Sequence, residues 1–434
     1  LTGREYEYTI ADLLGIDEAE SRTLGRILPA ETDAGGFDTV AVNQGISALH
    51  VQSYLDAADR ALDVAIRVGP QPAGEHRVIN YGTSQYNRNL SRGGYLGGGV
   101  VKMVDDGAVT YSDTTSTYVF HSIAEGFEVP VPGRYRVSVE AYAYNADSTV
   151  VLTIWRGRKS GAAAAFDEML GMWDLVDATP RTVEVTPFLY PGDLVVPSVA
   201  EVNSPVTESG EFLNIFAADV VVQDYEGEGI AMKSMTIEGP IEDVWPPEST
   251  RQLLAGVEFS EFGQIRLTKS AYDHVVDIVA RFAPLAFRRP LASGELEAYT
   301  ALAKSVLAAD RPFLEAVRVS LRAILSAPSF LYQFGDSGVL DEFGLATRLS
   351  YFLWRSLPDT ELFHLAREGR LSDRSVLAEQ VNRMLDDPKS ERFVKDFAGQ
   401  AFRLYEMNAT TPDPGLYPEY DGRLGVSMVQ ETEL

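Results

Sequence analysis

No cysteine occurs anywhere in the 434 residues. That absence excludes disulfides, thiolate zinc sites, a cysteine nucleophile and covalent attachment of c-type haem within them. Histidine is scarce. His50, His76, His121, His274 and His364 are far apart, and none has a histidine partner four residues on. HExxH and HxH patterns are missing, so each histidine reads as a core or surface residue and no metal ligands are assigned. Positive charge is outnumbered, with 37 Lys and Arg against 63 Asp and Glu and a formal net charge of −26. No basic surplus can displace counterions from a phosphate backbone, so no nucleic-acid partner is expected. No stretch approaches the ~18 uncharged apolar residues of a bilayer span, so no transmembrane segment is expected. A GxSxG elbow and a dinucleotide fingerprint after a strand are lacking as well. The residues offer no self-contained catalytic constellation, and the catalytic set is none.

What is present is a globular composition, 45% hydrophobic, over a length that suggests about three domains. The chain begins at Leu1 without a basic-then-apolar leader. It stops at Glu431-Thr432-Glu433-Leu434 inside a run that reads helical. The expectation is an internal piece of a longer protein.

Residues 1–67 read as helical. Tyr6, Ile10, Leu13 and Leu14 share one helix face, with Gly15 to stop it. Ser47 is a cap for a second helix carrying Val51, Leu55, Ala58 and Leu62. From 75 to 240 the period becomes two. Tyr135, Val137, Val139, Ala141 and Ala143 alternate with Arg134, Arg136, Ser138, Glu140 and Tyr142, after a Pro132-Gly133 turn. Val150–Trp155 and Asp219–Val222 are further strand candidates, and turns at 190–193, 203–205 and 208–210 punctuate the segment. Short strands spaced in this way predict an antiparallel sandwich. Residues 241–267 read as a linker. Helical periodicity returns at 268, with helices over 295–307, 313–325, 343–354, 360–367, 375–385 and 390–405. Asp310 with Pro312, Pro358-Asp359 and Asp387-Pro388 read as openings of helices.

Candidate chemistry is thin. Gly93–Gly99 is glycine-rich, but Val100-Val101-Lys102-Met103-Val104 follows where a phosphate loop needs Lys-Ser/Thr and a helix. Asp105-Asp106, Glu242-Asp243, Asp386-Asp387 and the Asp33/Asp38 pair around Gly35-Gly36 make calcium a candidate cofactor, although none has the spacing of a calcium loop. The aromatic residues of the sandwich segment are more informative. Sugar rings stack on exposed aromatic faces, so Tyr142, Tyr144, Trp155 and Trp173 are candidate glycan-binding residues, with Phe166 beside them. Tyr142 is the best placed for exposure, because it alternates with the apolar face. Core filling is the competing role for all of them.

Three separated stretches resemble known domains. Arg4-x-Tyr6-x-x-Thr9-Ile10-x-Asp12-Leu13-Leu14-Gly15, Leu28-Pro29, Gly36-Phe37-Asp38 and Tyr54-Leu55-x-Ala57-Ala58 resemble planctomycetal-specific domain three. Phe282-Ala283-x-x-Ala286-Phe287-Arg288-Arg289-Pro290-Leu291 through Ile324–Tyr332 resembles domain five. Ala346-x-Arg348-Leu349-Ser350-Tyr351-Phe352-Leu353-Trp354-x-Ser356-Leu357-Pro358-Asp359, Arg383-Met384-Leu385-x-Asp387-Pro388 and Asp396-Phe397-Ala398-Gly399-Gln400 resemble domain four. Ala401-Phe402 departs from the Trp-Leu usual there.

The resemblance implies a fold and a setting. The fold class is multidomain α + β: a small N-terminal helical domain (1–67), a central jelly-roll-like sandwich (75–240) similar to carbohydrate-binding modules, the linker (241–267), and a C-terminal all-α region. That region comprises a domain-five-like part (268–337) and a C-terminally truncated domain-four-like part (338–434). The setting is an exported, periplasmic or cell-surface protein whose haem c domains flank this region. Polysaccharide is then a candidate partner, and a redox partner would act through the flanking domains. The fragment itself would be a non-catalytic scaffold and glycan-binding region, tied to a periplasmic oxidoreductase or electron-transfer system that works on polysaccharide. The alternative is a carbohydrate-binding or purely structural protein without a redox role. Arg288-Arg289-Pro290 and Arg348 could clamp a propionate or carboxylate, but pairing within the helical domain is the favoured role.

Overall fold

A computed structural model describes residues 1–25, 27–29, 37–39, 48–92, 101–200, 222–333, 338–407, 416–417, 420 and 422–433. Ser47, the Gly93–Gly99 run, Asp33 with Gly35-Gly36, the turns at 203–210 and residues 219–221 lie outside them. The chain divides into two compact units. One comprises Leu1–Gln71 with Asp243–Tyr405, the other Pro72–Glu242 with Glu406–Thr432.

In the first unit, the opening helix Gly3–Leu14 begins in a capping box. The Glu5 amide donates to Thr2 Oγ1, and the Thr2 amide donates back to the Glu5 carboxylate. Gly15 ends it at φ 65°, a left-handed conformation that suits glycine. Tyr6, Ile10 and Leu14 are buried as the periodicity predicts, and Leu13 is half-buried. The helix Ala48–Ala65 buries Tyr54, Ala57, Ala58, Ala61 and Leu62, whereas Val51 is exposed. Its buried face is therefore offset from the predicted stripe. The small alanines let it lie close against the Phe313–Leu325 helix. Asp59 pairs with Arg322 at 3.1 Å, and Asp63 with Arg318. The stretch read as a linker is folded: Ser249 and Thr250, in the helix Glu248–Leu253, both donate to the Ala65 carbonyl. Trp245 Nε1 donates to Gly69 O at 2.7 Å.

A two-stranded hairpin (Glu258–Phe259 with Ile265–Arg266) and the helices from 271 to 401 make up most of the rest of this unit. Asp341, Asp359 and Asp373 cap the helices Glu342–Trp354, Thr360–Arg367 and Arg374–Asp386, each accepting from a first-turn amide. Asp310 caps nothing. It turns the chain at φ 56°, and Pro312 stands at the N-cap of Phe313–Leu325. The helix expected over 390–405 stops at Ala401, since Arg403 takes a left-handed φ of 52°. Trp354 is fully buried, and its indole N–H donates to Met384 O at 2.9 Å.

The second unit is an antiparallel two-sheet sandwich. Its strands are β1 (Glu75–Asn80), β2 (Lys102–Val104), β3 (Gly107–Thr110), β4 (Gly133–Tyr144), β5 (Val150–Ser160), β6 (Ala163–Leu175), β7 (Arg181–Val185), β8 (Phe188–Leu189), β9 (Asp193–Ala200) and β10 (Gly229–Ile241). One sheet runs β2-β3-β10-β4-β7, with β1 also on β10 and β8 on β4; the other runs β6-β5-β9. From β4 onward the chain passes back and forth between the sheets, as a jelly roll does. Val137, Val139 and Ala141 of β4 face Leu152 and Ile154 of β5 and Val195 of β9 across one apolar core. Strand β10 contributes Ile230 and Met232, then Met235 and Ile237. A bulge between Met232 and Ser234 shifts the inward parity by one residue. Val222 opens a short 3-10 turn, Val222–Asp224, rather than closing a strand.

Candidate functional site

Four tyrosines cluster at the outer face of the first sheet: Tyr142, Tyr144 and Tyr225 are partly buried, and Tyr111 is fully buried among them. Tyr142 and Tyr144 alternate with core residues of β4, so both rings stand away from the core. Across from them on β10 lie Ala231 and Gly229, and beyond those Val109 and Tyr111 on and just past β3. Both small residues of β10 are buried, and the tyrosine rings pack over them. Gly229 is required there: a Cβ would lie 2.6 Å from Thr110 O and 2.8 Å from the Tyr111 ring. Tyr225 packs edge-on to Tyr111 at 4.8 Å, and Tyr144 meets Tyr111 at 6.3 Å.

Polar groups rim these rings. The Tyr142 hydroxyl donates to Asp106 Oδ1 (3.0 Å), and the Tyr144 hydroxyl to Glu226 Oε2 (3.1 Å). Asn145 Nδ2 donates to the same Glu226 oxygen at 2.7 Å. Lys102 is only 7% exposed. Its ammonium lies 2.6 Å from Glu226, donates to Tyr225 O at 2.9 Å, and sits 5.3 Å from the Tyr144 ring centre. Burial pulls that ammonium down, but Glu226 and Tyr144 outweigh it and hold it above its ordinary value. The bonds from Lys102, Asn145 and Tyr144 keep Glu226 below the usual carboxylate range. Burial and Asp106 push the Tyr142 phenol up to about 12. Lys102 is thus held as an ammonium, Glu226 as a carboxylate and Tyr142 as a neutral phenol at neutral pH. Such a face can bind and orient.

The other two candidates lie elsewhere. Trp155 is on the outer face of the second sheet, stacked on Phe166 at 4.7 Å with its N–H bonded to Thr153. One side of its ring is therefore covered by the chain itself. Trp173 stands opposite Leu152 and packs against the sandwich core, over Gly171. The sequence reading missed Tyr111, Tyr225 and Lys102. Lys102, the first residue of β2, carried no signal, and its pairing with Glu226 crosses more than a hundred residues.

A second cluster lies in the helical unit, where the motif stretches converge. Arg355, 6% exposed, reaches Asp38 at 2.7 Å, Asp396 at 2.9 Å and Glu5 at 3.7 Å. The Asp38 amide donates to Gln400 Oε1 at 2.8 Å. Arg392 joins Asp12 and Glu18 and lies over the Tyr8 ring at 4.5 Å. Outside this junction, Phe37, Phe397, Phe393 and Phe352 form a row with ring centres 5.2–5.6 Å apart. Arg288 is buried too, donating to the carbonyls of Ser329, Phe330 and Tyr332, while Arg289 forks onto Glu295 at 2.8 Å. Those arginines serve the fold as clamps. Arg348 is exposed. Among the described residues, no three His, Asp or Glu side chains are grouped to hold a metal ion. Asp106 instead engages Tyr142 and Lys233, and Asp387 caps a 3-10 turn.

Three family models match this chain. They are "PSD3: Protein of unknown function (DUF1587)" over residues 1–67, "PSD5: Protein of unknown function (DUF1595)" over 274–334, and "PSD4: Protein of unknown function (DUF1592)" over 340–434. Together they span just over half of it. The chain belongs to the family built on planctomycetal-specific domains three, five and four. The Arg355 cluster is thus where domain three (Glu5, Asp38) is locked to domain four (Asp396). No curated protein matches the sequence. Two solved structures are similar in part. One is a carbohydrate-binding module (CBM6cm-2) from Cellvibrio mixtus lichenase 5A in complex with cellotriose, at 14% identity and TM-score 0.16, covering 32% of this chain and 75% of that one. The other is the Eiger TNF from S. frugiperda, at 11% identity and TM-score 0.18, covering 42% and 93%. Scores this low carry no argument about fold or ligand. No helix among the described residues is long and apolar enough to cross a membrane.

Proposed function

We propose that the sandwich is a polysaccharide-binding module and that the helical domains are the scaffold carrying it, within an exported protein that works with haem c domains. The observation behind the binding role is the tyrosine face. Two half-buried rings stand side by side on β4, each with its hydroxyl held by a carboxylate, above a floor of glycine and alanine. Fixed rings offer flat apolar surface at little entropic cost, and the carboxylates and Asn145 at their edges supply hydrogen-bond partners for sugar hydroxyls. The export and cytochrome association come from the family. Covalently attached haem c requires cysteine-bearing domains other than these.

The test is titration of the whole chain with soluble polysaccharides by calorimetry and affinity electrophoresis, beside Tyr142→Ala and Tyr144→Ala. Saturable binding that each substitution weakens at least tenfold supports the reading. Binding that survives both substitutions removes the tyrosine face from it.

A further inference from the structure

We infer that the tyrosine face selects uncharged polysaccharide chains over carboxylated or sulfated ones. This rests on the binding role proposed above and adds the class of ligand. The argument is one of charge placement. An anionic chain needs cations that can turn toward it. Two lysines are close to the tyrosines, and both are engaged from within. Lys102 is buried against Glu226 and the Tyr225 carbonyl. Lys233 lies between Glu140 (3.0 Å) and Asp106 (3.4 Å). Further along the same face, Arg136 lies between Glu184 and Glu238, at 3.3 Å from each.

The carboxylates are more numerous and less covered. Asp105 and Asp106 are exposed at the β2–β3 turn. Glu226 holds the Tyr144 hydroxyl, Glu140 precedes Tyr142 by two residues on β4 and pairs with Lys233, and Glu228 lies just before β10, where its Oε1 accepts from the Asp147 amide. Two satisfied lysines against this rim leave the face net negative. A sulfate or uronate brought to the rings would meet like charge without a donor cation, and the overall charge of −26 repels it from further out. A neutral chain meets neither penalty. Its C–H faces rest on the rings, and its hydroxyls donate to the carboxylate oxygens.

Matched polymers test this on the whole chain: hydroxyethyl cellulose against carboxymethyl cellulose, and dextran against dextran sulfate, at low salt and in 0.5 M NaCl at about one-third the low-salt Debye length or less. The expected result is binding to at least one neutral polymer and about tenfold weaker binding of its charged derivative at low salt, with a gap that narrows as salt rises. In Glu226→Gln, which removes one negative charge from the rim beside Lys102, the ratio of charged to neutral affinity rises. A charged derivative binding as tightly as its neutral parent, through Tyr142 and Tyr144, overturns the selectivity and leaves the binding role standing. No binding of any polymer overturns the binding role and this inference with it.

Discussion

Replacing Arg355 with methionine should loosen the joint between domains three and four. The guanidinium holds three carboxylates from three separate segments: Glu5 on the first helix, Asp38 on the 37–39 segment and Asp396 on the Glu391–Ala401 helix. Burial alone would lower its pKa, yet Glu5, Asp38 and Asp396 raise it well above its ordinary value. Methionine fills the volume of the stem but takes the shared guanidinium away from all three carboxylates, and Arg4, 3.8 Å from Asp396, is a far more exposed cation. Removing one partner of a buried ion pair costs about 3–5 kcal/mol. For a unit of this size each kcal/mol lowers the melting point by about 2–4 °C, so a drop of roughly 10 °C is expected. Lysine keeps the charge but cannot fork between two carboxylates, so Arg355→Lys should fall between wild type and methionine. Calorimetric melting of the whole chain measures both. A double-mutant cycle with Asp396→Asn should show a coupling of at least about 1 kcal/mol. A melting point within about 2 °C of wild type for Arg355→Met, or strict additivity in the cycle, would falsify the claim that this junction is an energetic lock.

Gly229→Ala should push Tyr111 off the β10 floor, cost about 1–3 kcal/mol through overpacking, and weaken polysaccharide binding; unchanged near-ultraviolet dichroism and affinity would refute the floor's role. Burial, with Lys159 nearby, pulls His121 down to about 4, so the folded sandwich refuses a proton that the unfolded chain accepts below pH about 6.5. Its stability should therefore fall as pH drops from about 6.5 to 4, and His121→Asn, whose Oδ1 can still accept from the Ala124 amide, should flatten that slope in urea titrations. Asp12 is held below its ordinary value: burial opposes this, but Arg392 and Lys389 prevail. Its contribution is present above the unfolded value near 3.8 and is lost as pH falls through the folded one, so Asp12→Asn should destabilise at pH 7 and progressively less in acid, read from urea titrations. Arg288→Met strips four carbonyls of their donor and should destabilise the helical unit by several kcal/mol, whereas Arg348→Met should change melting by less than about 0.5 kcal/mol.

Much of this protein was legible in its sequence because local signals agreed with the final packing. The 3.6 period of Phe313, Val317, Leu321 and Ile324 marks a helix that the structure bounds at Phe313–Leu325. Alternation along Tyr135–Ala143 marks β4 and puts Tyr142 on its outer face. Motif residues alone sufficed to identify domains three, five and four. Signals that depend on neighbours misled or were silent. The bulge at Lys233 breaks the alternation of β10, so its longest pairing partner went unnoticed. Val51 has the spacing of a core residue but faces solvent, since the alanines beside it decide which side of the helix can approach another.

Sequence by itself determined the main helical and strand-rich regions, the family, the absence of thiol chemistry and the acidic charge, because these depend on residue identity and on periods of a few residues. Only the tertiary structure decided which distant residues meet. Domains that read as separate along the chain close into one unit, because Arg355 needs carboxylates that lie hundreds of residues away in sequence. Tyr144 and Tyr225 pack against the buried Tyr111 only when β3, β4 and β10 pair in register. Both outcomes come from pairing between segments that carry no mark of one another until the chain is folded, and the candidate binding face exists only there.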